Sequence, residues 1–178
     1  KLSQHELHAL SREYIKAFVD NLGPDTDVPA PDMYTNAEIM GVMLAEYERL
    51  TGTKAPAMIT GKPLALGGIV GRDTATADGA IAVLEALLGD QHLSADKLRA
   101  GVQGAGNAGA QASRLLFHMG MKVVALSDSR GTHVNEAGMD VERVLRIKEE
   151  KGSVIDAGEY EDVDSIIGAR VDVLVPSA

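Results

Sequence analysis

Three glycines near the middle of the chain are spaced as Gly-x-Gly-x-x-Gly: they are Gly104, Gly106 and Gly109, and Asp128 follows nineteen positions after the last of them. In such a run the first glycine permits a tight turn, the second lets the backbone approach a pyrophosphate, and the third lets a helix pack closely on its strand. A helix N-terminus favours phosphate, and a carboxylate at Asp128 can accept hydrogen bonds from a ribose. The pattern predicts a dinucleotide site. The alternative is a glycine-rich turn that binds nothing.

The residues around Asp128 bear on which dinucleotide is bound. An acid at this position accepts the ribose 2′-hydroxyl of NAD and repels the 2′-phosphate of NADP. Arg130 acts in the opposite direction, because its guanidinium can pair with that phosphate, and Ser129 can donate to either ligand. Two opposite charges this close also weaken each other's effect when they pair. We therefore expect NAD as the cofactor, with measurable use of NADP.

A second glycine-rich stretch, residues 60–76, holds four glycines, Lys62, Arg72 and three threonines just ahead of a predicted helix. Such a loop can contact the far end of a dinucleotide or an anionic substrate. It can equally be the start of a helix capped by Asp73 or Thr74, with Arg72 merely solvated. The residues leave these two interpretations open.

Asp32 ends a short segment that Pro29 and Pro31 make rigid. A carboxylate held beside a reaction centre is a usable general acid or base. The alternative is that Asp32 starts a turn or caps the helix that follows, and the spacing alone favours that alternative.

The composition restricts the class of protein. The chain has 178 residues, no cysteine, five scattered histidines and a formal net charge of −9. That length is one domain's worth or slightly more, and we expect neither a disulfide, nor a catalytic thiol, nor a bound metal. The acidic balance argues against nucleic acid or an anionic membrane as a partner, and no run resembles a membrane span or a secretory signal. We expect a cytoplasmic protein.

Helices that alternate with short apolar strands are expected to position these residues. The spacing of apolar residues predicts helices over 3–19, 36–50, 75–88, 110–119 and 139–151, and a short one over 162–167. Strands are predicted from residue 98 to the start of the Gly-x-Gly-x-x-Gly run at Gly104, over 122–128 and over 171–175. Residues 55–60 are a further candidate strand, and residues 131–138 are predicted to be a loop. We expect an α/β fold: a Rossmann-like, doubly wound, mostly parallel sheet. Because the chain stops straight after its last predicted strand, we expect a truncated nucleotide domain from a longer protein.

Several motifs together resemble the glutamate dehydrogenases, within the glutamate/leucine/phenylalanine/valine dehydrogenase superfamily. They are residues 23–32, 34–40, 60–63, 67–68, 71–72 and 75–76, the run 104–109 with asparagine at its fourth position, residues 127–129 and residues 171–176. The resemblance covers nearly the whole chain, with the motifs in the family's order. Two departures stand out. The family's glycine-rich catalytic-lysine motif does not occur in this sequence, and Ile69 stands where many relatives carry serine.

This resemblance implies roles for particular residues. Asp32 matches the family's catalytic aspartate, which moves protons to and from the amino group and water, and Ala30 matches a backbone contact to the substrate. Arg72 and Thr76 fall in the segment that meets the nicotinamide end of the cofactor. The positions that match the pyrophosphate turn are Gly104, Gly106, Asn107 and Gly109, and those that match the adenosine-ribose end are Asp128 and Ser129.

The resemblance also implies an activity. It is the oxidative deamination of L-glutamate to 2-oxoglutarate and ammonia with NAD or NADP, and the reverse reductive amination, in a full-length homohexamer. A non-catalytic NAD(P)-binding regulatory module and a branched-chain amino-acid dehydrogenase stay open as alternatives. We expect residues 1–35 to be the end of the substrate domain, a helical hinge segment with the catalytic loop, and residues 36–178 to be the NAD(P)-binding domain. Because the lysine motif is missing, the chain alone is expected to be inactive.

Overall fold

The computed structural model describes residues 2–32 and 34–178, which form two compact units that divide between Arg72 and Asp73. The first unit holds two helices and the second holds three helices and all five strands that the described residues form. In chain order the elements are α1 (Gln4–Phe18), α2 (Ala37–Thr51), α3 (Ala75–Asp90), β1 (Arg99–Gln103), α4 (Asn107–His118), β2 (Lys122–Asp128), β3 (Gly131–Val134), α5 (Val141–Lys151), β4 (Tyr160–Glu161) and β5 (Val173–Pro176). Short 3₁₀ turns complete the chain at Pro56–Met58, Leu64–Leu66, Ala95–Lys97, Val154–Ala157 and Val163–Gly168.

The first unit is built on the packing of α1 against α2. Helix α1 begins with a capping box, in which the Ser3 hydroxyl accepts from the Glu6 N–H while the Glu6 carboxylate accepts from the Ser3 N–H. Helix α2 begins at the N-cap Asn36, whose side chain accepts from the Ile39 N–H at 3.0 Å. The apolar faces of both helices and residues that follow each helix form the core of the unit. This core comprises Ile15, Leu22, Ile39, Met40, Met43, Leu44, Tyr47, Ala55, Met58 and Ile59.

The second unit is a five-stranded sheet in the order β4-β3-β2-β1-β5. The three strands β2, β1 and β5 are parallel, and β3 and β4 continue the sheet as an antiparallel edge. Strand β1 lies between β2 and β5, with Ala100 and Val102 fully buried in the main core, which it shares with Leu116 of α4. Because side chains alternate along a strand, Gly101 points to the other face, where an added Cβ would lie 3.4 Å from Ile166. The predicted Rossmann-like α/β fold is confirmed.

Two details of the predicted secondary structure are wrong. The candidate strand over 55–60 contains a 3₁₀ turn, since Pro56 lacks the N–H that a strand ladder needs. The predicted loop over 131–138 begins with strand β3, which pairs antiparallel with β2 so that Asp128 faces Gly131. The sheet is therefore less parallel than the sequence indicated.

The predicted domain boundary at residue 35 precedes the division between the two compact units. Helix α2 packs against α1, so residues 36–72 belong spatially with the residues before them. The assignment of residues 36–72 to the nucleotide-binding part stays a prediction.

Candidate dinucleotide site and catalytic loop

The carboxyl ends of the three parallel strands meet at one edge of the second unit. There the Ser177 N–H donates to the Gln103 carbonyl at 2.8 Å, which joins the end of β5 to the end of β1. The Gly104 N–H donates to the hydroxyl of Ser127 at 3.1 Å, which joins the end of β1 to β2. Ligands of open α/β sheets bind outside this edge of the sheet.

The glycine run between β1 and α4 is packed too closely for side chains at two of its three glycines. Gly104 has a φ of +88°, and a Cβ on it would lie 2.9 Å from backbone atoms of Ser177 and Ala178. A Cβ on Gly109 would lie 1.7 Å from the Gly104 carbonyl oxygen, so α4 can approach β1 only through a glycine. These are the turn and close-packing positions that the spacing predicts.

Gly106 differs from the other two glycines because it is the N-cap of α4 and faces open space. No atom lies within 4 Å of the position that its Cβ would take. As glycine it offers no side-chain oxygen to cap the helix, so the N–H groups of the first turn stay available to an anion. Asn107 follows as the first helical residue, and its side-chain Nδ2 donates to the Asp73 carbonyl at 2.9 Å.

A cavity of about 440 Å³ opens at this edge of the sheet. Its lining includes Gly104, Gly106, Asp128 and Ser129, so the structure brings together the predicted pyrophosphate and ribose residues. A neighbouring cavity of about 380 Å³ is lined by Asn107, Thr74 and Arg114, among others, and Lys148 of α5 lines both cavities. The two cavities lie at the N-terminus of α4 and share a lysine, which suits a phosphate-bearing ligand.

The Asp128 carboxylate makes hydrogen bonds within its own chain. One oxygen accepts from the Arg130 N–H at 2.8 Å and the other from the Val154 N–H at 2.8 Å, while the Ser153 hydroxyl lies 2.8 and 3.0 Å from the two oxygens. Partial burial alone would raise the pKa of this carboxyl, but the two N–H groups, the Ser153 hydroxyl and the charge of Lys148 outweigh it and lower the pKa. Asp128 is therefore ionised at neutral pH.

Arg130 is held by a different acid from the one that its sequence position suggests. Its Nη1 lies 3.6 Å from the carboxylate of Asp156, which sits in the 3₁₀ turn Val154–Ala157. The Arg130 side chain is about half exposed, and it is not among the residues that line the 440 Å³ cavity.

Comparisons with known proteins decide the family. Residues 67–178 match the family profile described as glutamate/leucine/phenylalanine/valine dehydrogenase, and residues 1–49 match the dimerisation domain of the same family. The chain belongs to this dehydrogenase family. The chain is 39% identical to the NADP-specific glutamate dehydrogenase of Synechocystis sp. and 38% identical to the catabolic NAD-specific glutamate dehydrogenase RocG of Bacillus subtilis. It aligns over 99–100% of its own length but spans only 42–44% of the length of these relatives.

Solved structures agree with this family membership. The hetero-hexameric glutamate dehydrogenase of Thermus thermophilus, in a leucine-bound form, superposes with a TM-score of 0.88 at 36% identity. The glutamate dehydrogenase of Peptoniphilus asaccharolyticus superposes with a TM-score of 0.73 at 31% identity. In both cases the match covers at least 99% of this chain and 42% of the other.

The segment that carries Ala30 and Asp32 lies in the first unit, and both residues are exposed. The interpretation of Asp32 as the start of a turn is confirmed, because the Thr35 N–H donates to the Asp32 carbonyl at 3.0 Å. Asp32 does not cap α2, whose N-cap is Asn36. A residue that starts a turn can also carry out proton transfer, so this finding does not decide between structural and catalytic roles.

Arg72 and Thr76 flank the division between the two units. Arg72 is the last residue of the first unit and is exposed, and Thr76 is exposed in the first turn of α3. Thr74 stands at the N-cap position of this helix but makes no side-chain capping hydrogen bond, so both interpretations of the stretch 60–76 stay open. The role of both residues at the nicotinamide end stays a prediction.

Some residues at these sites were missed by the sequence reasoning. In the sequence Lys148 falls only within a predicted helix and Ser127 only within a motif, and no pattern singles out Asp156. A lysine on the helix after β3 lies far along the chain from the glycines, and only the fold brings it to the cavity. Among residues 2–32 and 34–178, no group of three histidine, aspartate or glutamate side chains is placed to hold a metal ion. No helix in the same ranges is both long and apolar enough to cross a membrane.

Proposed function

We propose that this chain is part of an NAD(P)-dependent glutamate dehydrogenase, which converts L-glutamate and water to 2-oxoglutarate and ammonia and runs the reverse reductive amination. The observation that carries the proposal is the glycine-rich turn at the N-terminus of α4. There α4 can pack against the Gly104 carbonyl only because Gly109 has no side chain. The identities of 38–39% to two glutamate dehydrogenases support the substrate.

The residues of the second unit fit an NAD(P) molecule. Gly104 makes the tight turn and Gly106 leaves room for the pyrophosphate. The N–H groups at the start of α4 can donate to it, and Lys148 adds a positive charge. Asp128 and Ser129 line the same cavity and would face the adenosine ribose. When bound, the nicotinamide supplies the hydride acceptor for oxidation of the amino acid.

The residues of the first unit fit the acid–base part of the reaction. In this proposal the Asp32 carboxylate moves protons to and from the amino group and the attacking water, and the backbone at Ala30 contacts the substrate. Arg72 and Thr76 would contact the nicotinamide end of the cofactor. The chain supplies these groups, and the lysine that the family uses beside the substrate is not among its residues.

The test is an Asp32→Asn substitution in the complete protein. We expect dinucleotide affinity to change little and glutamate turnover to fall about 100-fold or more, as is typical when a general acid or base is lost. NAD(P)H absorbance gives the turnover, with glutamate and with leucine as substrates. Faster turnover of leucine than of glutamate would contradict the substrate assignment. No turnover of either amino acid, with dinucleotide still bound, would indicate a non-catalytic binding module.

For the cofactor we propose NAD with measurable NADP use. The charge of Asp128 at the ribose end supports NAD, because it repels a 2′-phosphate even though both carboxylate oxygens already accept hydrogen bonds from its own chain. Arg130 and Lys148 support the residual use of NADP, since both carry positive charge near this end of the site. The relatives include one NADP-specific and one NAD-specific enzyme.

For the assembly we propose a homohexamer of the complete protein, located in the cytoplasm. Leu10, Tyr14 and Phe18 form an exposed apolar ridge on α1, within the part that matches the family's dimerisation domain. The hexameric enzyme of Thermus thermophilus is a structural relative. The cysteine-free composition suits a reducing compartment. Light scattering of the complete protein measures the assembly, and a monomer would refute the hexamer. Fractionation of cells measures the location.

A further inference from the structure

The backbone of Asp32 is bound on both sides by a single side chain. The Thr35 hydroxyl accepts from the Asp32 N–H at 2.7 Å and donates to the Asp32 carbonyl at 2.7 Å. The Thr35 N–H donates to the same carbonyl at 3.0 Å. The peptide groups before and after the Asp32 Cα are thus both fixed by a residue three positions further along.

The segment that leads to Asp32 is fixed separately at its other end. The Thr60 N–H donates to the Pro29 carbonyl at 2.9 Å. Gly61 has a φ of +67°, and a Cβ on it would lie 2.6 Å from Pro31 Cγ, so the Pro31 ring rests on a residue that has no side chain. These contacts hold the chain up to Pro31, and the hydrogen bonds from Thr35 continue the support at the backbone of Asp32.

The residue just before Thr35 has an unusual backbone conformation. Tyr34 has a φ of 63°, a left-handed conformation that is uncommon for a residue with a bulky side chain, and its side chain is 84% exposed. An exposed side chain in this region gains no packing that would favour the conformation. The hydrogen bonds between Thr35 and the Asp32 backbone help to offset this cost, and strained backbone of this kind tends to occur where a functional group must be held.

We propose that Thr35 is a positioning residue for the Asp32 carboxylate. The proposal rests on the proposed function, in which that carboxylate transfers protons. Proton transfer needs the two heavy atoms within hydrogen-bond reach, and a displacement of about 1 Å can lower a rate about 100-fold. The Thr35 hydroxyl fixes both peptide planes that flank the Asp32 Cα, and thereby the direction in which the side chain leaves the backbone.

The experiment compares Thr35→Val, which keeps the shape but loses the hydroxyl, with Thr35→Ser, which keeps the hydroxyl, in the complete protein. We expect Thr35→Val to lower kcat for glutamate about tenfold or more, with KM and dinucleotide affinity within about twofold of the unsubstituted protein. The solvent deuterium isotope effect on kcat should rise, because proton transfer becomes more rate-limiting. Thr35→Ser should restore both values. Thr53→Val is the matched control, since the Thr53 hydroxyl bonds only the exposed Thr51 hydroxyl in the described part of the chain.

Each outcome decides the proposal. An unchanged kcat and isotope effect in Thr35→Val, in a protein that turns over glutamate, would overturn this inference and leave the proposed function standing. Equal losses in Thr35→Val and Thr35→Ser, together with a lower melting temperature, would show a purely structural role and would also overturn it. No amino-acid turnover by the unsubstituted protein would overturn the proposed function, and this inference with it.

Discussion

Asp128 and Arg130 lie two positions apart in the chain, but the structure gives their side chains different partners. The carboxylate of Asp128 fastens the turn at Ser153 and Val154 to the end of β2, so it acts on a cofactor through its charge more than as a free acceptor. The guanidinium of Arg130 is engaged by Asp156. A 2′-phosphate would have to compete with Asp156 for Arg130, so Asp156 enters the question of NAD against NADP.

We predict that Asp156→Asn makes NADP binding tighter. An exposed ion pair contributes about 0.2–1 kcal/mol, so freeing Arg130 should tighten NADP binding by no more than about fivefold and leave NAD binding nearly unchanged. Arg130→Ala should weaken NADP binding about tenfold or more, because a charge-assisted contact to phosphate is lost. Titration of the complete protein with each dinucleotide measures these affinities.

The control for Asp156→Asn is Asp164→Asn, which removes a negative charge from an exposed acid of the following 3₁₀ turn, Val163–Gly168. It should leave both affinities as they are. Equal weakening of NAD and NADP by Arg130→Ala would mean that Arg130 holds the turn in shape and does not contact the ribose end.

What the sequence predicts of the site depends on how local each signal is. The spacing of Gly104, Gly106 and Gly109 is local, and the structure gives each the packing that the spacing predicts. Thr35 could not be recognised in this way, because a threonine three residues after an aspartate is common, and only the geometry shows its hydroxyl on both sides of the Asp32 peptide. The position of Lys148 depends on the fold of α5 against the sheet, which no local pattern contains.

At the scale of elements, the sequence predicted the parallel strands and missed the antiparallel edge. Strands β1 and β2 have buried apolar residues in their middle positions, and β5 is apolar with two half-buried valines. Strand β3 reads Gly-Thr-His-Val and β4 has two residues, so neither carries the alternation that indicates a strand. They are strands because β2 offers a free edge beside them, which is a tertiary effect.

The contact between α4 and β1 makes opposite predictions for two glycines. Gly109→Ala would force the Gly104 carbonyl to move, and overpacking of this kind costs about 1–3 kcal/mol or more, so both the melting temperature and dinucleotide affinity should fall. Gly106→Ala puts a methyl group into open space with a φ of −75°, so folding should be unaffected. Its methyl group would occupy the approach to the α4 N-terminus, so we expect dinucleotide affinity to fall about tenfold or more.

Differential scanning fluorimetry and dinucleotide titration separate the two effects. Gly79→Ala on α3 is the control, because no atom lies within 4 Å of the added Cβ and an alanine inside a helix stabilises by about 0.5–1 kcal/mol. A loss of melting temperature in Gly106→Ala equal to that in Gly109→Ala would contradict the assignment of different roles to the two glycines.

At the scale of the whole molecule, acidic groups in both units are stabilised in their ionised form. The Ser3 N–H and hydroxyl lower the pKa of Glu6, Arg49 lowers that of Glu46, and Lys54 with the Ala55 N–H lowers that of Glu48. In the second unit the pKa of Asp128 is lowered as well. Each of these carboxyls binds protons more weakly in the folded chain than in the unfolded chain, so the folded state is favoured wherever they are ionised.

We therefore predict that stability is fully present above about pH 5 and falls as the pH drops through about 4 and below, where the unfolded carboxyls take up protons first. Asp128→Asn should lower the free energy of unfolding at pH 7, because the Arg130 and Val154 N–H groups lose a charged acceptor, and should reduce the further loss between pH 5 and pH 2. Urea unfolding at pH 7, 5 and 3 measures both effects.

The control is Asp90→Asn, at an exposed acid that bonds only the Gln91 side chain among the contacts described, and it should follow the unsubstituted protein at every pH. If Asp128→Asn instead lost as much free energy of unfolding on acidification as the unsubstituted protein, the hydrogen bonds to the Asp128 carboxylate would not link the turn at Val154 to the end of β2. The charge of Asp128 would then lack the fixed position from which it acts on the cofactor.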